Sequence, residues 1–126
     1  MNLRHLFTVN LFTAIFFGLM CALFPFWAAS LYGLETNPAA IWTTRLVGGS
    51  ILGYATLVWY GRKVQSSDTR RAIGLALLVQ DVIGLLASIE IQFGGQINAL
   101  GWSNLLIYGL LSLGYAYFIF LCPQAS

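Results

Sequence analysis

The chain has 126 residues, of which 59% are hydrophobic and only 8% are charged. Soluble domains carry roughly 25% charged residues, so this composition excludes an ordinary soluble domain. One helical crossing of a bilayer takes about 20 mostly apolar residues, which leaves room for about five crossings and no separate catalytic domain. The net charge is +2, and no basic patch of the kind that binds nucleic acid is present.

The first apolar segment covers residues 6–24 and ends at Pro25, which kinks or terminates a helix. Arg4 before an apolar run also suits a secretory signal peptide. The run is longer than a typical signal-peptide core, however, and Trp27 after the proline is typical of an interfacial exit from a span. We therefore expect a retained transmembrane helix rather than a cleaved leader.

Three further spans follow along the chain. Asn37 before Pro38 is a helix-start signal, a capping side chain ahead of a first-turn proline, and predicts a second span at residues 39–60. The polar residues 61–71 separate it from a third span at 72–93. Glycines then predict a tight turn at residues 94–96, and the fourth span, 98–121, ends before Pro123.

The predicted fold is thus all-α, a polytopic membrane protein of one domain over residues 1–126, with four transmembrane helices in an up-down bundle with short loops. The basic residues outside the spans all fall on one side of this arrangement: Arg4, Arg62, Lys63, Arg70 and Arg71. The positive-inside rule then predicts that both termini and the second loop are cytoplasmic.

Three charged residues lie inside predicted spans: Arg45 in the second, and Asp81 and Glu90 in the third. A charge at the bilayer centre costs about 2.5 to 3.5 kcal/mol, so each is expected to find a partner or to reach the interface. Helical periodicity places Asp81 on one face with Gly84 and Ser88, and Glu90 on the opposite face. The predicted depth in the bilayer favours Glu90 as the partner of Arg45, whereas the inward-facing side of the third span favours Asp81. The partner of Arg45 therefore stays open.

The fourth span adds inward-facing polar residues to this picture. We predict a buried intramembrane polar cluster that consists of Arg45, Asp81, Ser88, Asn104 and Tyr108. Its role is either structural, an ion pair that sets helix order and register, or a binding site in which Arg45 contacts a quinone, a lipid or an anionic solute. A single charged pair does not support a proton relay.

Small residues mark the expected helix contacts, namely Gly49 and Gly53 in the second span and Gly84 in the third. Cys21 and Cys122 are the only cysteines and suggest neither a disulfide framework nor a metal site. His5 is the only histidine, whereas zinc sites take three or four ligands. We predict no catalytic residues, no metal and no cofactor.

Two short motifs carry a family resemblance. The second span contains Arg-Leu-x-Gly-Gly (Arg45, Leu46, Gly48 and Gly49), and the fourth begins Asn-Ala-Leu-Gly-Trp over residues 98–102. With the basic second loop, these motifs resemble the DoxX-like group of small bacterial four-helix membrane proteins. The resemblance implies a multi-pass protein of the bacterial inner membrane, in a group whose named member is associated with a quinone-reducing thiosulfate oxidoreductase. It implies no set of catalytic residues.

Small size and the absence of catalytic motifs favour a non-enzymatic protein. We expect an accessory or structural subunit of a larger respiratory or photosynthetic membrane complex, or a homo-oligomer, with the lipid bilayer and other membrane subunits as partners. The alternative is a small-molecule binder or carrier that uses the Arg45 and Asp81 cluster.

Overall fold

The computed structural model describes residues 1–121, which are helical apart from short connections and contain no strand. The helices are α1 (Leu3–Leu23), α2 (Pro25–Leu31), α3 (Pro38–Lys63), α4 (Ser67–Phe93) and α5 (Gly101–Ala116), and a π-helical turn over Tyr117–Leu121 continues α5. The predicted all-helical class is confirmed. Cys122 and the predicted stop at Pro123 lie outside the described residues.

Among residues 1–121, three helical stretches are long and apolar enough to cross a bilayer: Leu3–Leu23, Ser67–Phe93 and Gly101–Leu121. This is the pattern of a membrane protein. The predicted second span, α3, is 26 residues long but is not among them. Polar residues such as Thr43, Thr44 and Arg45 lower its hydropathy.

Local signals account for most helix boundaries. The Asn2 side chain caps α1 by accepting a hydrogen bond from the His5 backbone N–H, and the His5 side chain accepts one from the Asn2 N–H in return. Pro25 starts α2 directly after α1 ends, as predicted. The Asn37 side chain accepts from the Ala40 N–H at 2.9 Å with Pro38 first in α3, which confirms the predicted helix start.

The predicted polar loop at 61–71 is mostly helical, which corrects the sequence-based boundary. α3 continues to Lys63 and α4 begins at Ser67 rather than at residue 72. The Ser66 side chain caps α4 by accepting from the Thr69 N–H at 3.3 Å, and Asp68 lies in its first turn, at the positive end of the helix dipole. Polar residues thus end the apolar stretches of the sequence without ending the helices.

The helices form two antiparallel pairs, α1 with α3 and α4 with α5. In the first pair, Gly48 lies so close to α1 that a Cβ there would clash with the backbone nitrogen of Ala22. In the second pair, Gly84 faces the ring of Tyr108. In contrast, apart from the adjacent backbone of α3 itself, no described atom lies within 4 Å of the Cβ position at Gly49 or Gly53, so the close contact predicted for those two glycines is wrong and Gly48 makes it instead.

The two pairs share an apolar core at the end of the molecule where α1 begins. Its largest fully buried apolar members include Leu3, Phe7, Val58, Leu77 and Tyr115. We call this the basic end, because Arg4, Arg62, Lys63, Arg70 and Arg71 lie there. At the opposite, far end, Asn98 joins the two connections by donating from Nδ2 to the Leu31 carbonyl at 2.7 Å and from its backbone N–H to the Tyr32 carbonyl.

The α1–α3 contact can be tested with two glycines of the same helix. We expect Gly48→Ala to lower the free energy of unfolding by about 1 to 3 kcal/mol, because the new methyl group meets backbone atoms that cannot move aside. Gly53→Ala should have no destabilising effect, because its Cβ position is open. Unfolding in mixed micelles by added dodecyl sulfate, followed by tryptophan fluorescence, measures both. Equal effects of the two variants would contradict the packing.

Candidate functional site

A cavity of about 160 Å³ lies between α1, α3, α4 and α5 in the middle of the molecule. We call it the inner cavity. Its apolar walls include Phe17, Met20, Ile51, Ile107 and Leu111, and its polar lining residues include Asn10, Tyr54, Asp81, Asn104 and Tyr108. Mostly apolar walls with a few converging polar groups are typical of small-molecule sites.

Asp81 is the acidic residue among the described residues that line this cavity. It lies near the middle of α4, and only 1% of its surface is exposed. The Tyr54 hydroxyl donates to Asp81 Oδ1 over a long distance of 3.4 Å. In the described part of the chain, the buried Oδ2 atom accepts no hydrogen bond. Buried carboxylate oxygens are nearly always paired, so this free acceptor is the most unusual polar group of the cavity.

A hydrogen-bond network contacts Asp81 on the side that faces the basic end. The Asn10 amide, 2% exposed, donates from Nδ2 to the Tyr54 hydroxyl oxygen and to the Tyr115 hydroxyl oxygen, the latter at 2.7 Å. An amide NH₂ group has two hydrogens, so both are used. The Tyr54 oxygen therefore accepts from Asn10 while its own hydrogen is directed to Asp81. We call Asn10, Tyr54, Asp81 and Tyr115 the polar network; each of its members comes from a different long helix.

A second cavity of about 850 Å³ lies toward the far end and is lined by residues of α2, α3 and both far-end connections. We call it the far vestibule. It shares Cys21, Tyr32, Val47 and Asn104 with the inner cavity, so the two spaces are adjacent at that level. There the Tyr32 hydroxyl donates to Asn104 Oδ1 at 3.0 Å. Asp81 thus lines the smaller, inner space, and the larger space lies beside it toward the far end.

The structure brings together some members of the predicted polar cluster and not others. Asp81, Asn104 and Tyr108 all line the inner cavity. Ser88 is buried on the same face of α4 but does not line that cavity. Glu90 is exposed on the opposite face, as its position in the helix predicted. Gly84 lies against the ring of Tyr108 but is not itself a lining residue of the inner cavity.

Arg45 lies outside the cluster, which corrects the expected inward orientation. Its side chain is exposed and lies in a surface depression with Phe24, Pro25 and Trp27, so it pairs with neither Asp81 nor Glu90. The reason is the rotation of α3. At about 100° per residue, Gly48, Ala55 and Val58 share the buried face, and Arg45 projects from a different side of the helix.

Sequence reasoning missed Tyr54, which connects Asp81 to the rest of the polar network. Tyrosines are common near membrane interfaces, so its residue type carries no signal for a mid-helix role. Asn10 offered a better signal, because an amide within an apolar segment needs a hydrogen-bond partner from another helix. The identity of that partner depends on helix packing.

The described residues contain no group of three or more His, Cys, Asp or Glu side chains that could hold a metal ion. The chain matches no protein-family model, no curated protein and no solved structure. The resemblance to the DoxX-like group therefore stays a prediction.

Two tyrosines of α3 provide a test of the polar network. We expect Tyr54→Phe to lower the free energy of unfolding by about 1 to 3 kcal/mol, because it removes a partner from the buried Asn10 amide and from Asp81 Oδ1. Tyr60 is 64% exposed, so Tyr60→Phe should change stability by less than about 0.5 kcal/mol. Unfolding of both variants in the same mixed micelles gives the comparison, and a neutral Tyr54→Phe would refute the network.

Proposed function

We propose that the protein is an integral membrane protein that binds a small molecule in the inner cavity, with Asp81 as the recognising group. The observation that carries this proposal is the buried Oδ2 atom, which faces no donor among residues 1–121 although the polar network holds the rest of the side chain. A bound donor would satisfy this acceptor. Leaving it unsatisfied costs about 1 to 3 kcal/mol, so the site favours occupation.

The lining indicates the chemical class of the ligand. The walls are mostly apolar, and a cavity of about 160 Å³ accommodates a single six-membered ring or a group of similar size. A carboxylate acceptor selects an O–H, an N–H or a cationic group and disfavours an anion. Arg45, the residue that had suggested an anionic solute, does not line this space. We therefore favour a small, largely apolar ligand with a hydrogen-bond donor, of which a quinol ring is one example.

We further propose that α3 is a fourth transmembrane helix. Its 26 residues extend about 39 Å, which is enough to cross a bilayer. It packs along α1, whose apolar sequence suits a span. The contacts between the two helices extend from Arg4, which donates to the Val64 carbonyl, to Gly48, which lies against Ala22. Arg45 lies beside interfacial aromatic residues rather than at the bilayer centre, which reduces the cost of its charge.

The positive-inside rule supports a cytoplasmic location for the basic end and both termini. The resemblance to the DoxX-like group supports the bacterial inner membrane. The expected role as an accessory subunit or a homo-oligomer stays a prediction, and it is compatible with ligand binding. Large apolar side chains such as Phe12, Leu86 and Leu106 are exposed, and either lipid or another subunit would cover them.

Binding of two probes of similar size tests the ligand class. Purified protein in mild detergent should bind phenol, which donates a hydrogen bond, in preference to toluene, which does not. We expect Asp81→Leu to lower the ratio of the two affinities roughly 3- to 10-fold, because a single hydrogen bond contributes that much. Ligand-observed NMR measures the ratio, and native mass spectrometry of the same samples reports any bound molecule, partner subunit or oligomer.

Glu90→Leu is the matched control, because it removes a carboxylate from the exposed face of the same helix. It should leave the phenol-to-toluene ratio unchanged. Asp81→Asn keeps the size of the side chain. Its comparison with Asp81→Leu shows whether a lower phenol-to-toluene ratio in Asp81→Leu comes from misfolding. An unchanged ratio in a folded Asp81→Leu protein, or preferred binding of benzoate by the wild type, would contradict the proposal.

Single cysteines on either side of α3 test the topology. In a background with Cys21→Ala and Cys122→Ala, a membrane-impermeant maleimide should label Glu35→Cys in intact cells and Gln65→Cys only after permeabilisation. Both positions are exposed and lie in the connections that flank α3. Labelling of both from outside would show that α3 does not cross, and the reverse pattern would show the opposite orientation.

A further inference from the structure

The basic end contains a pocket of about 390 Å³ between the start of α1 and the end of α3. We call it the basic pocket, and it is lined by Arg4, His5, Thr8, Trp59, Arg62 and Lys63. It is separate from the inner cavity, with which it shares no lining residue. Nothing in the proposed ligand binding at Asp81 uses these side chains.

Trp59 holds two of the cations in place. The Lys63 Nζ atom lies 4.4 Å from the centroid of the Trp59 ring, and the Arg62 guanidinium carbon lies 5.6 Å from it. Both distances are within the range of cation–π attraction. Arg4 approaches from α1, and its guanidinium donates to the Val64 carbonyl at 3.4 Å. Three cationic groups on two helices therefore border one pocket.

The local charge of the basic pocket is uncompensated, since none of its described lining residues is acidic. His5 Nδ1 accepts a hydrogen bond from the Asn2 N–H, so in the neutral ring the proton is on Nε2, which makes that nitrogen a donor. The start of α1 also contributes the positive end of its helix dipole. Three cations, a histidine donor and a helix N-terminus together favour an anion with several acceptor oxygens.

An apolar stripe leads from the basic pocket along α1 toward the far end. Phe12 lies one helical turn beyond Thr8, and Phe16 lies one turn further on the same side. Their side chains are 70% and 62% exposed. A charged pocket that continues into an exposed apolar stripe matches a molecule with an anionic head and an apolar tail.

From this arrangement we propose that the basic pocket binds the phosphate group of an anionic phospholipid, whose acyl chain lies along Phe12 and Phe16. Basic pockets between transmembrane helices are suited to such headgroups. A soluble phosphate compound would use the cations and His5 but would have no use for the apolar stripe. The lipid is therefore the ligand that accounts for both halves of this surface.

Native mass spectrometry with competing lipids tests the proposal. Purified protein is equilibrated with equal amounts of phosphatidylglycerol and phosphatidylcholine that carry the same acyl chains. We expect wild-type protein to retain the anionic lipid with at least about 5-fold preference, because each basic residue near the headgroup contributes roughly that factor. The double variant Arg62→Gln with Lys63→Gln should bind the two lipids almost equally.

Arg71→Gln is the control, because Arg71 lies at the same end but donates to the Ile119 carbonyl and does not line the basic pocket. It should retain the preference for phosphatidylglycerol. Trp59→Leu should weaken the preference without changing the net charge, because it removes the ring that positions Arg62 and Lys63. Circular dichroism confirms that each variant is folded.

Three results would overturn the proposal. The first is a reduction in Arg71→Gln that is half or more of the reduction in the double variant on a logarithmic scale, because each removed charge would then count equally wherever it lies, and net charge rather than the pocket would attract the lipid. The second is release of the anionic lipid by millimolar glycerol phosphate, because the pocket would then be a site for a soluble phosphate compound. A wild-type protein without lipid preference would also exclude it. None of these results depends on what Asp81 binds.

Discussion

The polar network is the interaction on which the rest of this structure depends. Asn10, Tyr54, Asp81 and Tyr115 come from four different helices, so their hydrogen bonds fix the relative positions of α1, α3, α4 and α5. In lipid there is little hydrophobic drive for helices to associate, and polar side chains find partners only on neighbouring helices. The apolar core packs on the basic side of this network, and the inner cavity lies beside it toward the far end.

The directions of these hydrogen bonds give the cavity its chemistry. Asn10 donates both of its amide hydrogens to tyrosine oxygens, so the Tyr54 hydroxyl donates its own hydrogen to Asp81 Oδ1. The other carboxylate oxygen, Oδ2, accepts no hydrogen bond from the described residues. Donors are thus satisfied on the protein side, and one buried acceptor of a cavity-lining residue is left without a partner among the described residues. This asymmetry distinguishes Asp81 from a structural carboxylate in an ion pair, whose oxygens would both be used by its partner.

Three groups of charged residues lie in different environments with different consequences. Asp81 is buried at the cavity, Arg45 projects beside aromatic residues near the far end, and the cations around Trp59 lie at the basic end. The rotation of α3 separates Arg45 from Asp81. With Gly48 rather than Gly49 against α1, the helix is turned by about 100° relative to the expected contact, and Arg45 leaves the interior.

Composition and local signals alone determined the helical class, the apolar stretches, the start of α3 at Asn37 and Pro38, and the opposite faces of Asp81 and Glu90 on α4. These features depend on helix periodicity and on residues near in sequence. The contact of Gly48, the outward position of Arg45 and the role of Tyr54 were decided only by tertiary structure. Each depends on how far one helix is rotated about its axis relative to its neighbour. Close backbone contact, such as that of Gly48 with α1, fixes this angle more narrowly than the hydrophobic pattern of the sequence does.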